Sequence, residues 1–200
     1  INLNIFIRTI LLTFSFLWFT YLGTQIGEDY VAANAILINL VFLSAFILDA
    51  YAFSTEGIVG YSLGKKDLTL FKNIVKNSFI LSSISGLIIS IIFFFTNNFV
   101  INFMSDIDEI RKLSSSYVIW LIILPVISSF CYQFDGIFIG ASQTKELRNA
   151  MIFSVLIYLL ISILLIKFLL NTGIWISLCI FMTLRAISLF WYLNRIYLRF

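Results

Sequence analysis

The feature that most limits what this chain can become is the near absence of polar interruption over stretches such as Gly86 to Phe95 and Met151 to Ile166, where only an occasional serine or tyrosine breaks an apolar run. Runs of this kind recur along the 200 residues. A soluble domain carries about 25% charged residues. This chain has 12%, with 61% hydrophobic residues and a mean hydropathy of +1.04, so the runs read as membrane helices rather than core segments. A transmembrane barrel would need alternating apolar and polar positions, and these runs do not alternate. The expected fold class is all-α: a polytopic membrane protein built as a six-transmembrane-helix bundle.

The expected spans are about 4–22, 32–63, 77–99, 113–141, 149–169 and 174–193, within a single domain covering 1–200. The second outruns a hydrocarbon core of roughly 30 Å and must tilt, bend or protrude, with Gly57, Gly60 and Gly64 as places to bend. At about 67–76, Leu68, Phe71, Ile74 and Val75 alternate with Lys72, Asn73 and Lys76, which predicts an amphipathic helix on the cytoplasmic membrane surface. Ser82, Gly86 and Ser90 form a small-residue ridge suited to close helix packing, and Pro125 predicts a kink. With six spans, Arg8, Lys65, Lys66, Lys72, Lys76, Lys145, Arg148, Arg195 and Arg199 share the side of the termini, against Arg111, Lys112 and Lys167 opposite. The positive-inside rule then places both termini in the cytoplasm.

Several function classes fall away. The net charge of +3 is spread between loops, which removes the sequence warrant for nucleic-acid binding. There is no histidine, and Cys131 and Cys179 stand alone in apolar segments, so neither a metal site nor a cofactor is expected. The first residue is Ile1 rather than methionine, and the expectation is that the chain has lost its beginning.

What composition does not explain is a set of ionisable residues inside the spans. On a helix at 100° per residue, Phe42, Ala45, Asp49, Ala52, Phe53, Glu56 and Gly60 share one face. Asp135 lies on a second polar stripe with Tyr117, Leu124, Ser128, Cys131 and Ser142. Arg8 and Arg185 are the basic counterparts. A charge at the bilayer centre costs roughly 2.5–3.5 kcal/mol even on a lenient insertion scale, so such residues face a bundle interior or a wet cavity and meet a partner there. They are either structural ion pairs, two arginines against three acids with one acid left over, or they include an acid that binds and releases a proton or cation during transport. An enzyme is not expected: no nucleophile–base spacing exists, and Phe134-Asp135-Gly136-Ile137 lacks the upstream glycine of an intramembrane aspartyl protease site.

The stretch Leu48-Asp49-Ala50-Tyr51-Ala52-Phe53-Ser54-Thr55-Glu56-Gly57-Ile58-Val59-Gly60 with Gly64-Lys65-Lys66-Asp67, and later Phe134-Asp135-Gly136-Ile137-Phe138-Ile139-Gly140-Ala141 with Lys145-Glu146-Leu147-Arg148-Asn149, resembles the multidrug and toxic compound extrusion (MATE) family. Phe6-Ile7-Arg8-Thr9 is similar to its DinF-type branch. The resemblance implies the C-terminal six-helix half of a twelve-helix secondary active transporter. It further implies a missing N-terminal half as partner, and antiport of organic cations or amphipathic compounds against protons or sodium. On it, Asp49, Glu56 and Asp135 are the coupling and cavity acids, and Arg8 and Arg185 are candidate counter-charges. Sodium-linked relatives carry an acid where this chain has Arg8, which favours protons. The branch's main coupling acid belongs to the other half. Phe53 and Phe138 are candidate cavity aromatics for an organic cation. The alternatives are a lipid-linked sugar flippase of the same architecture, which calls for a basic cavity stripe, and a non-transporting membrane subunit.

Overall fold

The computed structural model describes residues 2–198, so Arg199 of the charge count above lies outside the described residues. All regular structure there is helical: α1 Asn2–Thr24, α2 Glu28–Gly64, α3 Leu68–Met104, α4 Asp108–Ser116, α5 Val118–Gly140 and α6 Thr144–Tyr197. Five of them, all but α4, are long and apolar enough to cross a membrane. The last contains two crossings. Leu170 leaves helical geometry (φ 48°, ψ −128°), and the backbone at Leu165 comes so close that a Cβ on Gly173 would stand 2.5 Å from its carbonyl oxygen. Arg195 also reaches Glu146 at 3.1 Å. At 1.5 Å per residue a straight helix would hold these two roughly 70 Å apart, so α6 is a hairpin of two antiparallel arms, 144–169 and 171–197.

The segment expected as a separate surface helix is instead the first part of α3, which runs unbroken from Leu68. No proline or glycine interrupts the chain between Leu68 and Ser85, and nothing on the polar side of Lys72 and Lys76 ends a helix already capped by Asp67, whose side chain accepts from the Leu70 amide at 2.8 Å. A second difference lies at 105–117, where α4 precedes α5 instead of a loop running into a long span. Arg111 on α4 donates to the carbonyls of Ser105 and Asn102, tying off the end of α3.

The turns after α2 and α5 have the same construction. Lys66 and Ser142 occupy left-handed backbone (φ 54° and 56°). In each turn the following amide bonds back to a carbonyl five residues earlier, Asp67 to Ser62 at 3.0 Å and Gln143 to Phe138 at 2.8 Å. This is the Schellman closure, in which that position is usually glycine. Two tight hairpins result, α2–α3 and α5–α6.

α5 is the packing centre. A Cβ on Gly136 would stand 2.3 Å from the Ala52 carbonyl oxygen, and one on Gly140 would stand 2.4 Å from that of Glu56, so α2 and α5 touch backbone to backbone. The four-residue glycine spacing is the small-residue contact of membrane helices. On another side, the Ser82–Gly86–Ser90 ridge of α3 meets α5. Gly86 faces the Pro125 carbonyl, Ser82 donates to Ser129 O at 3.4 Å, and Ser90 donates to Ile122 O at 2.6 Å. Pro125 removes the amide that would bond the Leu121 carbonyl, and the Ser90 hydroxyl donates to the next carbonyl, that of Ile122. The buried apolar residues fall into two clusters, one from Phe19 to Met182 and one around Val59, Phe138 and Leu189. Asp135 on α5 and Arg185 on α6 each fall between residues of the two clusters along their helices.

Candidate functional site

Asp135 sits on α5 between Cys131 and Tyr132 of one apolar cluster and Ile137 of the other, and is 4% exposed. Arg185 occupies the corresponding gap on the second arm of α6, between Met182 and Leu189, and Arg8 comes from α1. Both guanidinium groups donate to the same oxygen, Asp135 Oδ2: Arg185 Nη2 at 2.7 Å, and Arg8 Nη2 in a second ion pair. Arg185 also lies over the Phe181 ring at 5.5 Å and is 1% exposed. Three helices that are far apart in sequence are thus pinned to one carboxylate. An isolated ion of this size would pay a desolvation cost of several kcal/mol, and two opposite charges within hydrogen-bonding distance offset it.

The other two acids are placed differently. Asp49 and Glu56 lie on α2, both partly exposed, and among the described residues neither side chain makes a hydrogen bond or ion pair. Asp49 interacts through space with Asp135, Arg8 and Arg185. The site is therefore a four-charge cluster, two arginines against two aspartates, in which three members are locked together and the fourth is loose. Glu56 stands about two turns further on, where its backbone meets Gly140. Pairing two arginines with three acids left one acid over on paper. Among the described residues two remain without a direct partner, because both arginines converge on Asp135.

The two candidate aromatics do not come together. Phe53 is 70% exposed, whereas Phe138 is fully buried and packed with Val59, Ile137 and Leu189, so it lines no open cavity. Three further polar contacts escaped the sequence reading. Asn34 and Asn171 exchange side-chain hydrogen bonds at 2.6 and 3.0 Å, and the Trp175 indole donates to Asn34 at 3.0 Å, fastening α2 to the bend of α6. Thr55 donates to Gln133 at 3.0 Å across the α2–α5 contact. Glu146 meets Arg195 across the α6 hairpin. For the asparagine pair and for Thr55 with Gln133 the signal was a polar residue within an apolar run, and Glu146 lies in a charged turn; in no case does the sequence indicate the partner locally.

The MatE family model matches residues 5–165. The chain belongs to the MatE family. The chain is 32% identical over 189 residues to the DNA damage-inducible protein F of Escherichia coli, covering 94% of this chain and 41% of that protein. It is 24% identical over 188 residues to Protein DETOXIFICATION 42 of Arabidopsis thaliana, covering 92% of this chain and 36% of that one. The chain thus spans about two fifths of the length of these curated relatives. Among solved structures, a MOP superfamily transporter from Pyrococcus furiosus superposes with a TM-score of 0.84 at 20% identity, over 96% of this chain and 43% of that one. An inward-facing MATE family transporter gives 0.87 at 15% identity, over 96% and 46%. These likenesses establish the MATE fold for the six crossings, and the chain corresponds to one half of it.

Proposed function

We propose that this chain is the C-terminal half of a secondary active exporter that exchanges organic cations or amphipathic compounds for protons. It would work in a bacterial inner membrane, with both ends of the segment in the cytoplasm and paired with an N-terminal bundle. The observation that carries the proposal is the loose Asp49 beside the locked Arg8–Asp135–Arg185 set. With Asp49 ionised the cluster is neutral; with Asp49 protonated it carries one positive charge. A cationic compound therefore binds better to the first state, so proton and cargo exclude one another, which is the requirement for antiport. Glu56 extends the acidic face of α2 and the exposed Phe53 offers a ring to a cation. Rocking against a second bundle would alternate the access of this face. A flippase would need basic groups free to meet a phosphate, and the two arginines within the spans are both engaged by Asp135.

The test is dye efflux by the full-length protein in proteoliposomes with an imposed proton gradient. Asp49→Asn is expected to abolish gradient-driven transport while protein abundance and thermal unfolding stay at the wild-type level. Normal transport by a folded D49N protein would remove Asp49 from coupling. It would also favour a purely structural role for the charges.

A further inference from the structure

A groove of about 620 Å³ runs along the side of α5. Its walls are Val75 and Phe79 from α3 and Thr183, Ala186, Ile187, Phe190 and Leu193 from α6, over a floor of Val126, Ile127, Phe130 and Phe134 from α5. Thr183 contributes the one polar side chain of this lining. Phe79 packs on Phe134 at 4.8 Å between ring centroids and on Phe130 at 6.1 Å, and Phe134 meets Phe190 at 6.3 Å, giving a continuous aromatic surface. The rim is open, with Phe190 61% and Phe130 43% exposed. None of Asp49, Glu56 and Asp135 lines the groove. Phe134 faces it while Gly136 faces α2, and positions two residues apart on a helix point about 200° from one another.

The end of the groove nearest the Gly64–Asp67 turn is basic. Lys72 and Lys76 are exposed on α3, each three residues before a wall residue, Val75 and Phe79, so they border the apolar wall from the polar side of the helix. Their stems can lie along the groove wall with the ammonium groups at the level of the headgroups. An apolar slot within a membrane span, opening sideways and ending at two exposed cations, matches a molecule with an alkyl chain and an anionic head.

We propose that this groove holds one anionic phospholipid, its acyl chain against Phe79, Phe130, Phe134 and Phe190 and its phosphate between Lys72 and Lys76. The site is independent of the export reading, since it uses neither Asp49 nor the arginines of the cluster. Acidic lipid at a membrane surface favours each nearby lysine by about 1 kcal/mol, which is about five-fold in affinity.

The experiment is native mass spectrometry of the full-length protein released from nanodiscs containing equal phosphatidylglycerol and phosphatidylcholine. Wild type is expected to retain one phosphatidylglycerol in clear excess. Lys72→Gln with Lys76→Gln should reduce that preference by about twenty-five-fold at most without loss of fold, and Ala186→Phe, which fills the groove, should remove the retained lipid. Equal retention of the two lipids by wild type would overturn the proposal, as would an unchanged preference in the double lysine variant. So would a photo-crosslinker at Phe190 that captures a second copy of the protein instead of lipid.

Discussion

Asp135 and Asp49 are carboxylates of one cluster, on helices in backbone contact, yet they live in opposite circumstances. Asp135 is buried and receives two guanidinium groups on one oxygen, from α1 and α6. Asp49 is partly exposed on α2 and feels the same charges without touching them. The first arrangement fixes where helices go, because three of them must converge to keep the charges paired. The second leaves an acid free to change state without unfolding anything. A buried carboxylate with two arginine partners and a partly exposed one with none among the described residues are thus adjacent, separated by who supplies the partners.

That contrast is breakable, starting at the locked end. Arg185→Met strips one partner from a buried carboxylate, and truncating one side of such a pair costs roughly 3–5 kcal/mol. The expected result is a large drop in unfolding temperature or loss of monodisperse protein on size exclusion. A variant as stable as wild type would mean that Arg8 alone satisfies Asp135.

Next in size is the contact that holds the two acids in register. Gly136→Val places side-chain atoms where the Ala52 carbonyl already stands, and must push α2 from α5. Overpacking of this kind costs about 1–3 kcal/mol. Cysteine cross-linking between the two helices should slow correspondingly, and an unchanged cross-linking rate would show that the helices do not touch as described.

A change of opposite sign, close to Asp135 in sequence but remote from both acids in function, serves as a control. Ser142 holds a left-handed conformation that glycine adopts without strain. Ser142→Gly is expected to stabilise the protein by about 1 kcal/mol and leave transport unaltered, as read by thermal unfolding and dye efflux together. Smallest in stability is Asp49→Asn, expected within about 0.5 kcal/mol of wild type because no partner is lost. If D49N proves as destabilising as R185M, the distinction between the two aspartates fails.

Much of this was legible beforehand because it is local. Apolar runs of membrane length, the placement of Asp49 and Glu56 on one face, the small-residue ridge at Ser82, Gly86 and Ser90, and the Gly64-Lys65-Lys66-Asp67 turn all follow from spacing along one helix or one turn. The misreadings are instructive in the same terms. Residues 67–76 have the amphipathic pattern of a surface helix, but a pattern does not end a helix, and without a breaker the chain continued into α3. Phe53 and Phe138 looked equivalent, yet one is exposed and the other fully enclosed. Lipid tails are as apolar as a protein core, so hydrophobicity carries no label for which face meets protein.

The sequence by itself determined that the chain is a helical membrane protein with its acids on two helix faces, since these properties depend on backbone hydrogen bonding in lipid and on the period of the helix. Tertiary structure decided which charges pair: Arg8 with Asp135 is a contact across 127 residues and Asn34 with Asn171 one across 137. It also decided that α6 folds back at Leu170 and that α2 and α5 meet backbone to backbone at Gly136 and Gly140. Such contacts arise from the mutual fit of whole helices, and the partner of a buried charge is fixed only when that fit is complete.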